Sequence, residues 1–330
     1  MKIAFNTKNE IYNQKFQTKN PSFGVRIPEL ETAIDTFVSQ AGTTCLEEKN
    51  LIDKIKKFVT TIFQKENFIG AGSQNKVYDM GKYVFRIPKN VFLIPKNATE
   101  EPLNLGDKIE KNQRLLNIES YCGEALLQAG NLKILRNVGQ NIPCGVPYSM
   151  LSKMSKEEVH KYYFETYFKR VTQLPQSSFD KFAEDVKKIS YPHTIDFQNP
   201  NNTVITNDNK ILLIDDLLMY NKYCGYNSTA KLLRIFMLDA AFDVYTPSFD
   251  GHLNEARDLF KKIVLSGVKS GLTLSSGYED NLLINDALLK CKAKVNSEDF
   301  VKTIAEITRE SENKTIQLKK TEEYVDAIFR

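Results

Sequence analysis

Apolar residues at 51, 52, 55, 58, 59, 62 and 63 recur three and four apart, with lysines and glutamates between them. That spacing lines one face of a helix, so 46–65 reads as an amphipathic helix with a solvated side. Residues 27–42 read as an earlier helix that stops at Gly42. The period then shortens. In NFIGAGSQNKVYDMGKYVFRIP (67–88), short apolar runs are broken by Gly70, Gly72 and Gly81, which predicts three strands joined by tight turns. Pro88 and Pro95 prevent a simple continuation, and 89–105 reads as an irregular insertion. A long helix is expected within 107–129, a strand at 131–139 and a turn-rich connector at NIPCGVPYSM (141–150).

From 155 onward the helical period returns. Ser155 and Glu158 have capping-box spacing. Phe179, Phe182, Val186 and Ile189 share one face of a helix over 178–189. A loop, a strand TVIT, a turn NDNK and a strand ILLI follow, and about 228–330 is mostly helical. No internal repeat is visible. This order predicts an α+β chain of two lobes, a small antiparallel sheet lobe and a larger helical one. The expected division is a helical extension at 1–65, a sheet lobe at 66–145 and a helical lobe at 146–330. Ligands favour the cleft between such lobes.

Composition narrows the classes. Hydrophobic residues are 42% and charged residues 26% of 330, which is globular rather than disordered. No run of about 18 apolar residues suggests a transmembrane helix, and MKIAFNTKNEIYNQ lacks the apolar core of a secretory signal. Cys45, Cys122, Cys144, Cys224 and Cys291 show no paired spacing, which argues for reduced thiols in a cytosol rather than zinc or disulfides. With three histidines a His-rich metal centre is not expected. A net charge of +4 permits an anionic partner without requiring one, and no nucleic-acid partner is expected.

Three stretches carry chemistry. Gly70, Gly72 and Ser73 form G-x-G-S with Val77 beyond, and glycine lets a backbone bring its N–H groups close to phosphates. A plain two-glycine hairpin has the same composition. The third glycine and the following helix of a dinucleotide fingerprint are missing, as is the Gly-Lys-Ser/Thr of a P-loop. Next, YVFRIPK sets one cation, Arg86, in an apolar strand, where it needs an anion or solvent. Finally, Asp196, Asn201 and Asn202 lie in IDFQNPNN, and Asp215 ends the hairpin that follows. A hairpin folds back, so Asp215 is expected close to Asn202. Carboxylate and amide oxygens are hard ligands suited to Mg2+ or Mn2+ carrying nucleotide phosphates. Turn formers and a strand cap would use the same residues.

In this order the stretches resemble the protein-kinase-like superfamily, which includes protein kinases and aminoglycoside-phosphotransferase-type enzymes. GAGSQNKVY (70–78) looks like its Gly-rich loop, YVFRIP (83–88) like its lysine strand, IDFQNPNN (195–202) like its catalytic loop, and LIDD (213–216) like its metal-binding turn. The resemblance covers about 66–245. It implies a two-lobe kinase fold and ATP bound with Mg2+ or Mn2+ under the loop at Gly70, Gly72, Ser73 and Val77. Arg86 then contacts the phosphates in the lysine position, paired by Glu110 or Glu119. Asp196 is the catalytic residue, and Asp215 with Asn202 or Asn201 holds the metal. The expected reaction moves the γ-phosphoryl group to a Ser/Thr hydroxyl of a protein. A small-molecule phosphotransferase, a pseudokinase and an AMP-transferring variant are the alternatives. Arg86, Lys76 and Lys89 all compete for the cationic role. D-D-L replaces D-F-G, and no A-P-E follows.

The end, EITRESENKTIQLKKTEEYVDAIFR, is similar in composition to translocation tails of effectors injected by intracellular bacteria, and a solvated helix explains it equally. On that resemblance the chain is a secreted effector acting in a host cytosol on a host protein. Lysine-rich DKIKK and IPKNVFLIPK would take an inositol phosphate or phosphoinositide as activator.

Overall fold

The computed structural model describes Thr32 and residues 60–71, 75–81, 83–88, 119–121, 125–129, 132–139, 141–146, 151, 153–189, 193–195, 202–214, 218–220, 227–238 and 249–330. The chain divides into two compact units. One comprises Met1–Lys96 and Glu124–Asn137, the other Asn97–Gly123 and Val138–Arg330.

The first unit is built on a five-stranded antiparallel sheet. β1 (Phe68–Ala71), β2 (Asn75–Asp79) and β3 (Tyr83–Pro88) are the three expected strands, and β5 (Leu132–Arg136) is the fourth. The sheet order is β1-β2-β3-β5-β4, where β4 spans Ala125–Ala129. β4 lies where the sequence suggested the end of a long helix. ALLQA has helical propensity, yet it pairs antiparallel with β5 from Ala129↔Leu132 to Ala125↔Leu135, so ladder pairing overrides the local preference. The β2–β3 turn needs Gly81, whose φ is 75°. Its N–H donates to Asp79 Oδ1 at 2.8 Å, while Met80 N donates to Tyr83 O.

The second unit is mostly helical. Among its described elements are α1 (Lys156–Tyr162), a π-helical segment (Tyr163–Phe168), α2 (Lys169–Thr172), α3 (Gln176–Lys188), α4 (Thr229–Met237), α5 (Leu253–Ser270), α6 (Tyr278–Lys290), α7 (Ser297–Arg309) and α8 (Lys314–Ile328). The capping box is present: Ser155 Oγ accepts from Glu158 N at 3.2 Å, and Glu158 Oε2 accepts from Ser155 N at 2.7 Å. The π-helical turn buries Tyr163, Phe164, Tyr167 and Phe168 together. Tyr163 Oη donates to Met237 O, and Tyr167 Oη to Ile235 O and Phe236 O, which ties the segment to the end of α4. Phe179, Phe182, Val186 and Ile189 are all buried, as their spacing implied. α4 and α5 approach so closely at Gly267 that a Cβ there would collide with Thr229 Oγ1. The C-terminal segment is the docked helix α8, with Thr321, Val325 and Ile328 buried.

Two small sheets sit in this unit. β6 (Asn141–Pro143), β8 (Thr203–Thr206) and β9 (Ile211–Leu213) form one, in the order β6-β8-β9. The supposed connector at 141–150 therefore begins as a strand. β7 (His193–Ile195) pairs antiparallel with β10 (Leu218–Tyr220) in the other. The architecture is thus mixed α and β with small antiparallel sheets.

Candidate nucleotide and metal site

In the sheet unit, cross-strand register aligns Gly70 with Val77, Val77 with Arg86, and Arg86 with Lys133. Directly opposed residues share a face of the sheet, so three of the residues picked from sequence stand in one row. Val77, Arg86 and Lys133 are half-buried. Asn75 lies on the same face, two positions before Val77. Its carboxamide, with the oxygen turned to the guanidinium, accepts from Arg86 Nε at 3.1 Å and from Nη2 at 2.8 Å. The reverse orientation would set the NH2 group against N–H donors. Lys76 alternates to the other face, opposite Ile87, and is exposed. Gly72, Ser73, Lys89 and Glu110 lie outside the described residues. Glu119 forms an ion pair with Lys181 at 3.1 Å in the helical unit.

In the helical unit two ladders frame the other candidates. β7 ends at Ile195, the residue before Asp196, and Ile195 is paired with Leu218. Leu218 follows Asp215, Asp216 and Leu217 in the chain. The β8–β9 hairpin pairs Thr203 with Leu213, and Ile214 N donates to Asn202 O at 3.0 Å. Asn202 is buried and thereby tied to the residue that precedes Asp215. Asp196, Asn201 and Asp215 themselves lie outside the described residues.

The frame is fastened from several sides. Leu213 N donates to Ser120 O at 2.7 Å, and Tyr121 runs parallel to Leu213. Ser120 is held in turn by the fully buried Asp185, whose Oδ2 accepts from Ser120 N at 2.9 Å and from Ser120 Oγ at 2.7 Å. Lys188 Nζ lies 2.9 Å from the other oxygen of Asp185. At the far end of the hairpin, Asn209 takes a left-handed conformation, with φ 65°. Arg170 Nη2 donates to Thr206 O at 2.7 Å, and Ser178 Oγ to Asn209 O at 2.6 Å. Helices α2 and α3 thus hold the turn while Ser120 holds the strand end.

Other chemistry in the described residues is sparse. No group of three or more His, Cys, Asp or Glu suited to a metal occurs among them, and the aspartates of the candidate site are not in that set. Cys144 and Cys291 are buried free thiols. Burial pushes the Cys291 thiol up to about 12, which leaves it protonated and inert as a nucleophile. A groove of about 1030 Å3 beside the π-helical segment is lined in part by His160, Phe164, His252 and Glu255. None of the candidate residues lines it. No helix among the described residues is long and apolar enough to cross a membrane.

The register adds two residues that the sequence alone did not single out. Asn75 stands where the family pattern G-x-G-x-x-G-x-V has its third glycine, so that departure was legible as a motif difference. Lys133 carries no local signal, because only strand pairing sets it against Arg86. No protein-family model matches the chain, and no curated protein matches it.

Proposed function

We propose that the chain is an ATP-dependent phosphotransferase of protein-kinase-like architecture, acting on a serine or threonine hydroxyl of a protein. The observation that carries this reading is the double ladder of the helical unit. There, Ile195↔Leu218 and the Asn202–Ile214 hydrogen bond tie the chain immediately beside Asp196 and Asp215. The row Gly70, Val77, Arg86 in the sheet unit supports it independently.

Catalysis on this reading is positioning and charge stabilisation. Backbone N–H groups of the glycine-containing segment that begins at Gly70 cover the phosphates, and Arg86 contacts them. Asp196 orients the acceptor hydroxyl and takes its proton as the oxygen bonds to the γ-phosphorus. The bond from that phosphorus to the β–γ bridging oxygen breaks, and ADP leaves. Asn202, buried and with its backbone carbonyl tied to Ile214 N, and Asp215 would supply hard oxygen donors of the kind a divalent cation takes. Mg2+ or Mn2+ bound there would neutralise phosphate charge.

Incubation of the purified chain with a general protein acceptor and γ- or α-labelled ATP tests the proposal. Transfer of γ label alone is expected. Transfer of α label would mean AMP transfer instead. Nucleotide binding without any transfer would make the chain a nucleotide-binding module and overturn the enzymatic reading.

A further inference from the structure

We infer that Lys133 is the second cation of the phosphate-binding face, acting beside an Arg86 whose guanidinium plane is set by Asn75. The inference rests on the nucleotide reading above and deepens it by naming what holds the polyphosphate. Its starting point is the ladder pair Arg86↔Lys133. Directly opposed residues stand side by side on one face of the sheet. Two cations so placed match a polyphosphate, which offers one negative oxygen after another along a chain.

The two cations divide the work by shape. A guanidinium is a planar fork, useful only when its plane points the right way, whereas an ammonium is a point charge on a flexible stem. Asn75 supplies the missing constraint. Its oxygen takes one edge of the fork through both Nε and Nη2, which fixes rotation about the end of the side chain. Lys133 needs no such guide. Both cations are half-buried, so their pull on a phosphate is screened less than that of an exposed lysine. The rest of the row keeps the surface low, since Val77 is apolar and Gly70 adds no side chain. Lys76, the sequence-level substitute for the family lysine, points from the opposite face and has no part in the row.

Calorimetric titration of the full chain with Mg-ATP and, separately, with adenosine separates phosphate contacts from general damage. Lys133→Met should weaken ATP about tenfold or more, the factor for losing one hydrogen bond to a charged group, and leave adenosine unchanged. Lys133→Arg should keep ATP affinity, and Lys76→Met should change neither ligand. Asn75→Ala should weaken ATP in the wild-type background but add nothing to Arg86→Met, because it acts through that side chain. Unchanged ATP affinity in Lys133→Met would sink the inference while leaving the nucleotide reading intact. So would an equal loss for adenosine, or an equal loss in Lys76→Met. A wild-type chain that binds neither ligand would instead remove the nucleotide reading, and the inference with it.

Discussion

In the sheet unit the buried apolar residues that are described number five: Ile62, Tyr78, Met80, Ile134 and Leu135. Its first strand leaves Phe68 and Ile69 exposed at 44% and 55%. The helical unit instead buries whole aromatic clusters. Phe236 meets Phe179 edge-on at 5.3 Å and Phe182 at 5.7 Å, and Phe260 packs against Phe300 and Phe329. It also buries carboxylates such as Asp185 and Asp180 together with partners. Asp185 is held by Ser120 and Lys188, and Asp180 by Gln176, Ser266 and Lys269. Each unit carries candidate residues of its own, and the two sets are supported differently. In the sheet, strand register sets the row, and side chains such as Arg86 meet one another along it. In the helical unit, packed rings and satisfied carboxylates fix a backbone frame. Damage to the row should therefore appear as lost ligand affinity, and damage to the frame as lost stability.

The largest expected effect tests the frame's chemistry. Asp215→Ala should lower γ-phosphoryl transfer by a factor on the order of 10^3, as for removal of a preorganised charge from a reacting site. Asp216→Ala should cost far less. Full ATP turnover in Asp215→Ala would show that the double ladder does not frame the reacting groups.

Next comes the packing that distinguishes the helical unit. Phe236→Ala should destabilise that unit by about 3–5 kcal/mol, measured by urea unfolding, because a buried ring is replaced by a void. Ile134→Ala in the sheet should cost about 2–5 kcal/mol but act on the sheet unit's transition. A single shared transition that shifts equally for both variants would erase the distinction between the units.

The paired carboxylates give a pH-dependent version of the same contrast. Burial alone would push the Asp180 carboxyl up. Hydrogen bonds from Gln176, Lys269 and Ser266, with the Lys269 charge, together outweigh it and hold the group below its ordinary range. A depressed carboxyl stabilises the fold fully above its unfolded value, near pH 4, and loses that contribution as pH falls through the lower folded value. Asp180→Asn should therefore cost about 1–3 kcal/mol at neutral pH, the scale of hydrogen bonds to a charged group. The gap from wild type should narrow as pH drops below 4. A gap that stays constant down to pH 2 would mean that the carboxylate charge is not what Gln176, Ser266 and Lys269 stabilise.

Legibility from sequence followed how local each feature is. β1 to β3 and the β8–β9 hairpin were marked by short apolar runs and by turn residues such as Gly81 and Asn209, which act within a few positions. The buried face of α3 was marked by its period. β4 was not, because ALLQA prefers a helix and only pairing with β5 makes it a strand. β6 was hidden in a proline-containing run of three residues. The π-helical turn was hidden because YFETYF has the composition of an ordinary helix, and only the backbone hydrogen-bond pattern sets it apart. The same logic divides the site. Gly70, Val77 and Arg86 could be picked one by one from motif order, but their alignment, and the addition of Lys133, depends on contacts between distant strands.

The smallest effect concerns an end signal that was visible in sequence and is present among the described residues. Ser155 and Glu158 each satisfy the other's backbone N–H at the start of α1, which leads into the π-helical segment. Ser155→Ala should cost about 1 kcal/mol, the usual value of an N-cap. Because the cap is exposed and the segment beyond it is anchored by Tyr163 and Tyr167 to α4, the loss should remain local. Hydrogen exchange should rise in the first turn of α1 and stay unchanged at Tyr167. If exchange rose through the whole segment, the aromatic anchors would not be what holds the π-helical turn, and the frame's stability would depend on its cap instead.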